Sequence, residues 1–419
     1  MTTTAVSDNL TPVQPSERIP IIDSLRGFAL LGILLVNMGI FIHPIFAFLL
    51  PPDPATPLID RAAAWFIHFA AEGKFYALFS LLFGLGFAIQ FIRAEERGRR
   101  IVPLYLRRLF VLLLIGMAHA FLVWTGDILI LYAVLGFVLI LFRKARPKTL
   151  LIWIGLTLGG YLLLLGGIVG LLQLARLEPT MAVELDQNFA AQEAYFLAET
   201  ERAYQVYGQG SFAEITQHRI DEYLNFIGFA AFGMVPGVFA MFLAGLYFGR
   251  RRLFYAVEEN IPFFRKLAWW GLAIGLPANL LYATIMSGPA SRLELSPAFL
   301  AATVAQIVGG PALSLFYLSA LTLLSRRQTW HNRLQRLAPA GRMALTNYLM
   351  QSIICTLIFY GYGFGLFGRV GAAVGMLLTL VIFAAQVAWS RWWLQRYRYG
   401  PAEWLWRSLT YLRWQPLRR

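Results

Sequence analysis

The chain has 419 residues, of which 58% are hydrophobic, 15% aromatic and only 14% charged, with a formal net charge of +14. Soluble domains carry about 25% charged residues, so this balance excludes a soluble globular protein and points to a polytopic membrane protein. The surplus of Lys and Arg does not indicate nucleic acid, because the basic residues form no stripe interleaved with aromatics; they recur in short clusters between apolar runs, as the positive-inside rule requires.

Residues 1–17 contain Thr, Pro and Ser and lack a basic start, a short apolar core and a small-residue cleavage site, so a disordered tail without a cleaved signal is expected. Span 1, residues 21–42, follows Arg18 and carries Asp23, Arg26 and, deeper, Asn37. After a Pro-rich turn, span 2 lies within residues 65–92, with residues 62–71 as a candidate separate interfacial helix. A basic loop with Arg93, Arg97, Arg99 and Arg100 leads through Arg107 and Arg108 into span 3, residues 104–124. The turn Thr125-Gly126-Asp127 opens span 4, residues 128–142.

Span 5, residues 149–174, has the spacings Gly155/Gly159 and Gly166/Gly170 that allow close helix packing in lipid. Residues 176–222 form the only long polar stretch, acidic in balance, and are expected as one or two amphipathic helices outside the membrane plane. Spans 6 to 10 follow at residues 226–248, 267–286, 298–324, 343–360 and 370–393. The expected organisation is a tail (1–17), an N-terminal transmembrane half (18–175), an extracytoplasmic segment (176–222), a C-terminal transmembrane half (223–395) and a basic, aromatic cytoplasmic tail (396–419). The fold class is all-α: a helical bundle of about ten spans. With both termini cytoplasmic, all Lys and Arg except Arg61, Lys74, Arg176, Arg202, Arg219, Arg292 and Arg369 fall inside, which decides the orientation.

The polar stretch around His119, Trp124 and Asp127 sits between two runs apolar enough to cross a membrane. A carboxylate at mid-membrane costs about 2.5–3.5 kcal/mol on insertion scales, so such groups mark a surface facing protein or water. His119 and Asp127 can meet across the turn, the acid fixing the tautomer of an imidazole that acts as base. The plainer alternative makes Asp127 a helix cap and His119 a packing group. Asp23 and Arg26, at i and i+3, can pair near the cytoplasmic rim. Asn37 must hydrogen-bond to a neighbouring helix or a ligand, and Asn347 and Tyr348 belong to a polar stripe with Thr346, Gln351 and Ser352, which lines a cavity or a helix seam. Arg107 and Arg108 are ordinary positive-inside flanks that would also suit the phosphates of an acyl-CoA. The single cysteine, Cys355, lies in an apolar run and allows no disulfide or Cys-paired site; no Walker loop, HExxH or Cys/His metal spacing is present, so no metal is expected.

Three stretches resemble the YeiB-like family of bacterial membrane proteins, also called domain of unknown function 418, over nearly the whole chain: Ile22-Asp23-Ser24-Leu25-Arg26-Gly27 through Asn37, His119 through Tyr132, and Gly341-Arg342-Met343-Ala344-Leu345-Thr346-Asn347-Tyr348 with Gly400-Pro401-Ala402-Glu403-Trp404. The first also resembles the opening span of heparan-α-glucosaminide N-acetyltransferase and of bacterial transmembrane acyltransferases that acetylate surface glycans. That resemblance implies an enzyme taking an acyl group from cytoplasmic acyl-CoA to an acceptor on the far side, with Asp23, Arg26 and Asn37 matching the first-span pattern. The acetyltransferase histidine follows the Asn by about a dozen positions, whereas His43 here comes after six, which leaves His119 as the candidate.

The expectation is therefore a multi-pass protein of the bacterial cytoplasmic (inner) membrane that transfers an acyl group. His119 and Asp127 would be catalytic, Asn37, Trp124, Asn347 and Tyr348 would bind substrate, and Asp23, Arg26, Arg107 and Arg108 would bind the acyl-CoA. The competing readings are a transporter or flippase for a small anionic or lipid-linked solute, and a membrane-embedded assembly partner. Expected partners are the bilayer, a small-molecule, glycan or lipid substrate and a second copy of the chain in a homodimer.

Overall fold

The protein is described by a computed structural model that covers residues 19–288 and 294–419; the expected tail of residues 1–17, with Arg18 and Arg292, lies outside them. The described chain folds into α1 (Pro20–Ile42), α2 (Leu58–Ala70), α3 (Lys74–Glu96), α4 (Val102–Leu122), α5 (Leu129–Leu139), α6 (Pro147–Ala175), α7 (Pro179–Gln209), α8 (Phe212–Arg250), α9 (Ile261–Met286), α10 (Pro297–Leu324), α11 (Gln328–Gln335), α12 (Ala338–Arg342), α13 (Ala344–Phe359), α14 (Ala372–Arg396) and α15 (Pro401–Tyr411). Among the described residues, eight helical segments are long and apolar enough to cross a membrane: α1, the α2–α3 unit, α4, α6, α8, α9, α10 and α14. Two shorter apolar helices, Leu129–Phe142 and Ala344–Phe359, complete the ten apolar runs of an all-α polytopic bundle.

Local chemistry sets the boundaries. Proline stands in the first turn of α1, α6, α10 and α15, where its missing N–H costs nothing. The run expected as span 2 is divided: α2 ends at Ala70, and Gly73 adopts φ +84° before α3 begins at Lys74. Only glycine takes that left-handed conformation without strain, so the chain turns there. The segment expected to lie outside the membrane is less separate than its composition suggests. It forms α7 and then the first turns of α8, capped by a reciprocal Ser211–Glu214 box. From there α8 runs without a break through the sixth span to Arg250. At about 1.5 Å per residue its 39 residues reach roughly 58 Å, nearly twice a ~30 Å hydrocarbon core.

The ends of the bundle are tied separately. At one end Arg250 Nη1 donates to Glu95 Oε2 at 3.1 Å, Arg250 Nη2 reaches the Arg143 carbonyl, and Arg107 Nη1 donates to the Thr410 carbonyl at 3.2 Å, which gathers the basic loops and the C-terminal helix. At the other, Asp60 accepts from the Ala373 N–H at 2.9 Å, Gly361 N–H donates to Tyr207 O at 2.7 Å and His43 Nδ1 lies 3.0 Å from the Tyr204 hydroxyl. Burial lowers the His43 pKa, opposed by the nearby Asp60 charge.

Close approach of α1 and α12 needs two glycines. A Cβ on Gly341 would stand 1.9 Å from Asp23 O, and one on Gly27 would stand 2.3 Å from Leu337 O. The glycines of α6 behave otherwise: a Cβ at Gly155, Gly159, Gly166 or Gly170 would meet nothing within 4 Å among the described residues. The expected close packing at these spacings is therefore not made within the chain, where α6 leans on α8 and α10 by other residues.

Candidate functional site

The His119 ring lies in the last turn of α4, and Asp127 follows in a short non-helical loop, residues 123–128, in which Trp124 and Thr125 are buried and the other residues half-buried. Irregular backbone at membrane depth survives only where protein covers it or a cavity wets it. His119 Nδ1–H donates to Asp127 Oδ2 at 2.7 Å, with side-chain exposures of 1% and 0%. The second carboxylate oxygen accepts from the Ile130 N–H at 2.8 Å, at the start of α5. The helix-end role and the imidazole-orienting role, posed as alternatives by the sequence, are both filled by the one carboxylate. With Nδ1 donating, Nε2 is the acceptor atom in the neutral form of the ring, and it makes no hydrogen bond among the described residues.

Trp124, expected at the substrate, is fully buried and stacked on Phe41 with ring centroids 4.1 Å apart. It lines neither of the two cavities described below and is a core residue under the loop. A Cβ on Gly126 would enter its ring at 2.2 Å, so the loop needs glycine there.

Two cavities approach this loop from opposite ends. The wider, about 1180 Å³, opens at the end carrying α2 and α7; Asn37, Thr125, Gly126 and Asp127 are among its lining residues. The narrower, about 370 Å³, lies at the end carrying the basic loops and is lined by Arg26, Arg93, Arg97, Arg108, Arg342 and Arg407, together with Asp23 and Glu403. Both are lined by Ile33, Ile128 and Tyr348, which form the wall between them. The Tyr348 hydroxyl accepts from the Ile128 N–H at 3.3 Å and donates to Gly126 O at 3.4 Å, and its ring lies 5.2 Å from that of His119. His119 itself lines neither cavity; it stands behind this wall.

The arginine cavity brings together sequence-distant stretches. Arg26 pairs with Asp23 at 3.2 Å, and Arg108 stacks over Trp406 at 3.9 Å while the Trp406 indole donates to Arg108 O at 2.8 Å. Glu403 of α15 accepts from the backbone N–H groups of Leu345, at 2.7 Å, and Thr346, at 3.1 Å, and from the Thr346 hydroxyl, so it caps the start of α13 from outside that helix. Burial raises the Glu403 pKa, partly offset by these hydrogen bonds. Arg107 points elsewhere, exposed and bound to Thr410 O, and does not line the cavity.

Asn347 is also placed differently from its expected role. Its side-chain amide donates to Ala340 O at 3.1 Å and Ser390 Oγ at 2.9 Å, and its backbone carbonyl accepts from Gln386, which in turn accepts from Gln351 at 2.9 Å. This part of the polar stripe is a seam between α13, α12 and α14; Tyr348 is the member that reaches the cavities.

A cluster on the far wall of the wide cavity was not singled out from sequence. His68 Nδ1–H donates to Glu72 Oε2, the Tyr282 hydroxyl donates to Glu72 Oε1 at 2.8 Å, and Gln306 Nε2 donates to the Tyr282 oxygen at 2.9 Å. Beneath it, fully buried Lys74 donates to His68 O at 2.6 Å. The only local signal was the i, i+4 spacing of His68 and Glu72 ahead of Gly73.

Residues 248–413 match the model of the family described as "Protein of unknown function (DUF418)". Over 427 aligned residues the chain is 39% identical to the uncharacterised protein YxaH of Bacillus subtilis (strain 168), covering 98% of both. It is 31% identical to the uncharacterised protein YeiB of Escherichia coli (strain K12), covering 94% of this chain and 96% of the relative. No solved structure matches. The three stretches that carry the family resemblance converge here, on the α1–α12 contact, the His119–Asp127 loop and the Glu403-capped start of α13, and the chain belongs to the DUF418 family.

Proposed function

We propose that the protein is a membrane-bound acyltransferase that takes an acyl group from a cytoplasmic acyl-CoA and transfers it to a glycan or lipid acceptor on the other side of the bacterial inner membrane. The observation that carries this reading is the pair of cavities of opposite character on either side of one thin wall, with the His119–Asp127 pair behind it. Arginine clusters favour phosphate groups through paired, charge-assisted hydrogen bonds, which suits the donor. In the reaction proposed, Tyr348 swings aside, and His119 Nε2 takes the proton of an acceptor hydroxyl as its oxygen attacks the thioester carbonyl. The C–S bond breaks, and the departing thiolate receives the proton from the imidazolium, which Asp127 stabilises meanwhile.

The basic end is then the cytoplasmic one, as the positive-inside rule demands. Two cavities that share the lining residues Ile33, Ile128 and Tyr348 also suit a carrier that binds a solute from alternate ends, and the test separates the two. Purified protein in nanodiscs is titrated with acetyl-CoA while thiol release is followed; Cys355 is buried and adds little background. We expect binding and release, with binding weakened at least tenfold by Arg26→Gln with Arg108→Gln and unchanged by Arg107→Gln. Absence of acetyl-CoA binding by the unaltered protein, or binding without any thiol release in the presence of envelope lipids and glycans, would contradict the enzyme and leave the carrier.

A further inference from the structure

The wide cavity holds more than one polar wall. Its floor is the Tyr348 wall with Asp127; across from it stand His68, Glu72, Tyr282 and Gln306. Much of the remaining lining is apolar and aromatic, including Trp65, Phe226, Phe229, Phe232 and Phe299, with Asp60, Arg61 and Arg369 among its charged residues. A space of about 1180 Å³ with greasy sides and a small, ordered polar cluster has the character of a site for an amphiphile, since apolar walls supply affinity and a few fixed polar groups supply orientation.

The cluster specifies what the polar head must be. Both oxygens of Glu72 are engaged, one by the His68 Nδ1–H and one by the Tyr282 hydroxyl. That arrangement selects one tautomer of the neutral ring, because a ring nitrogen facing a carboxylate carries the proton, and in that tautomer Nε2 is an acceptor. Gln306 spends an amide hydrogen on the Tyr282 oxygen, which leaves its carbonyl oxygen as a second acceptor. Neither His68 Nε2 nor Gln306 Oε1 makes a hydrogen bond among the described residues, and neither is sealed off among the buried atoms without a partner. Lys74 does not serve an anion here, since its ammonium is fully buried, bound to His68 O and turned under the Tyr282 ring at 5.4 Å, and the other described cations that line the cavity, Arg61 and Arg369, are exposed. A phosphate or carboxylate head would bring acceptors to acceptors beside the Glu72 carboxyl group. A head bearing O–H donors meets both.

We propose that the wide cavity binds a membrane-borne amphiphile through a neutral, hydroxylated head held by His68 Nε2 and Gln306 Oε1, with Glu72 and Tyr282 as positioning residues that hold the imidazole. This names the class of acceptor for the reaction proposed above, yet it rests on this cavity alone and not on acyl transfer. Failure to bind acetyl-CoA at the arginine cavity would remove that reading and leave this one standing.

The test uses the full chain in phospholipid nanodiscs and the reagent diethyl pyrocarbonate, with modification of each of the five histidines read by mass spectrometry. We expect His68 to react readily and His119, sealed behind Tyr348, at least tenfold more slowly. n-Octyl β-D-glucoside below its micellar concentration should slow modification of His68 at least fivefold, whereas n-octyl phosphate, octanoate and free glucose should change it less than twofold. Protection should be lost in Gln306→Leu while modification of His331 is unaffected. The idea is overturned if His68 is unreactive, if the glucoside gives no protection, or if the phosphate or n-octylammonium protects as well or better. The ligand comparison on the unaltered protein decides the matter even if the Gln306 variant fails to fold.

Discussion

Asp127 is the residue on which two roles converge, and substitution divides them. Asn caps helix starts about as well as Asp, so Asp127→Asn should keep the Ile130 contact and the fold. It cannot stabilise an imidazolium in the same way, and loss of such a carboxylate has cost up to ~10⁴ in rate in serine proteases. We expect Asp127→Asn to be made at normal levels and to lower transfer at least a hundredfold, with His119→Gln inactive; transfer near the unaltered rate in Asp127→Asn would return the carboxylate to a purely structural role. The meeting of His119 and Asp127 was legible because only 8 residues, the end of α4 and a tight loop, separate them. Asn347 was not, since a polar stripe in lipid looks the same from sequence whether it faces a cavity or a neighbouring helix, and only the positions of Ala340 and Ser390 decide. The His68 cluster was hidden for a related reason: its other half, Tyr282, lies 210 residues away along the chain.

At the scale of elements, the wall between the cavities joins α1, through Ile33, to the starts of the two short helices Leu129–Phe142 and Ala344–Phe359, through Ile128 and Tyr348; each of these two helices is under the length that crosses ~30 Å. Glu403 completes one of them. Because its pKa is raised by burial, the folded protein holds a proton more tightly than the unfolded chain, so its contribution is fully present at low pH and is lost as pH rises from the ordinary carboxylate range through the raised value. Glu403→Gln should therefore flatten the fall in thermal stability over that interval; an unchanged slope would show that other groups set it. The α6 glycines give a second test. With open space where each Cβ would go, Gly159→Ala and Gly166→Ala should be tolerated by the fold and gain roughly 0.5–1 kcal/mol each from helix propensity; a large loss of stability would mean that this face is closely packed. Apolar length and capping residues made most helix positions readable, and the candidate separate helix at residues 62–71 matches the break between α2 and α3, whereas the φ of Gly73 and the unbroken run of α8 were not readable. A glycine in an apolar run does not announce its φ, and acidic composition up to Glu222 conceals a helix that continues past it.

The whole molecule joins a basic end with a small arginine-lined cavity to an opposite end with a wide apolar one, and sidedness follows from charge. A reporter fused after Arg419 should report cytoplasm and one placed between Gln209 and Phe212 the outside, since the basic loops are tied together at one end and α7 with the start of α8 at the other. The most direct measurement is made on sealed inside-out vesicles given acetyl-labelled acetyl-CoA from the medium, which reaches the basic end. Label should appear on lumenal glycan or lipid in vesicles with the unaltered protein and stay at background in those with His119→Gln at equal abundance. Vesicles that accumulate no label with the unaltered protein, or that accumulate it fully with His119→Gln, would contradict acyl transfer across the Tyr348 wall.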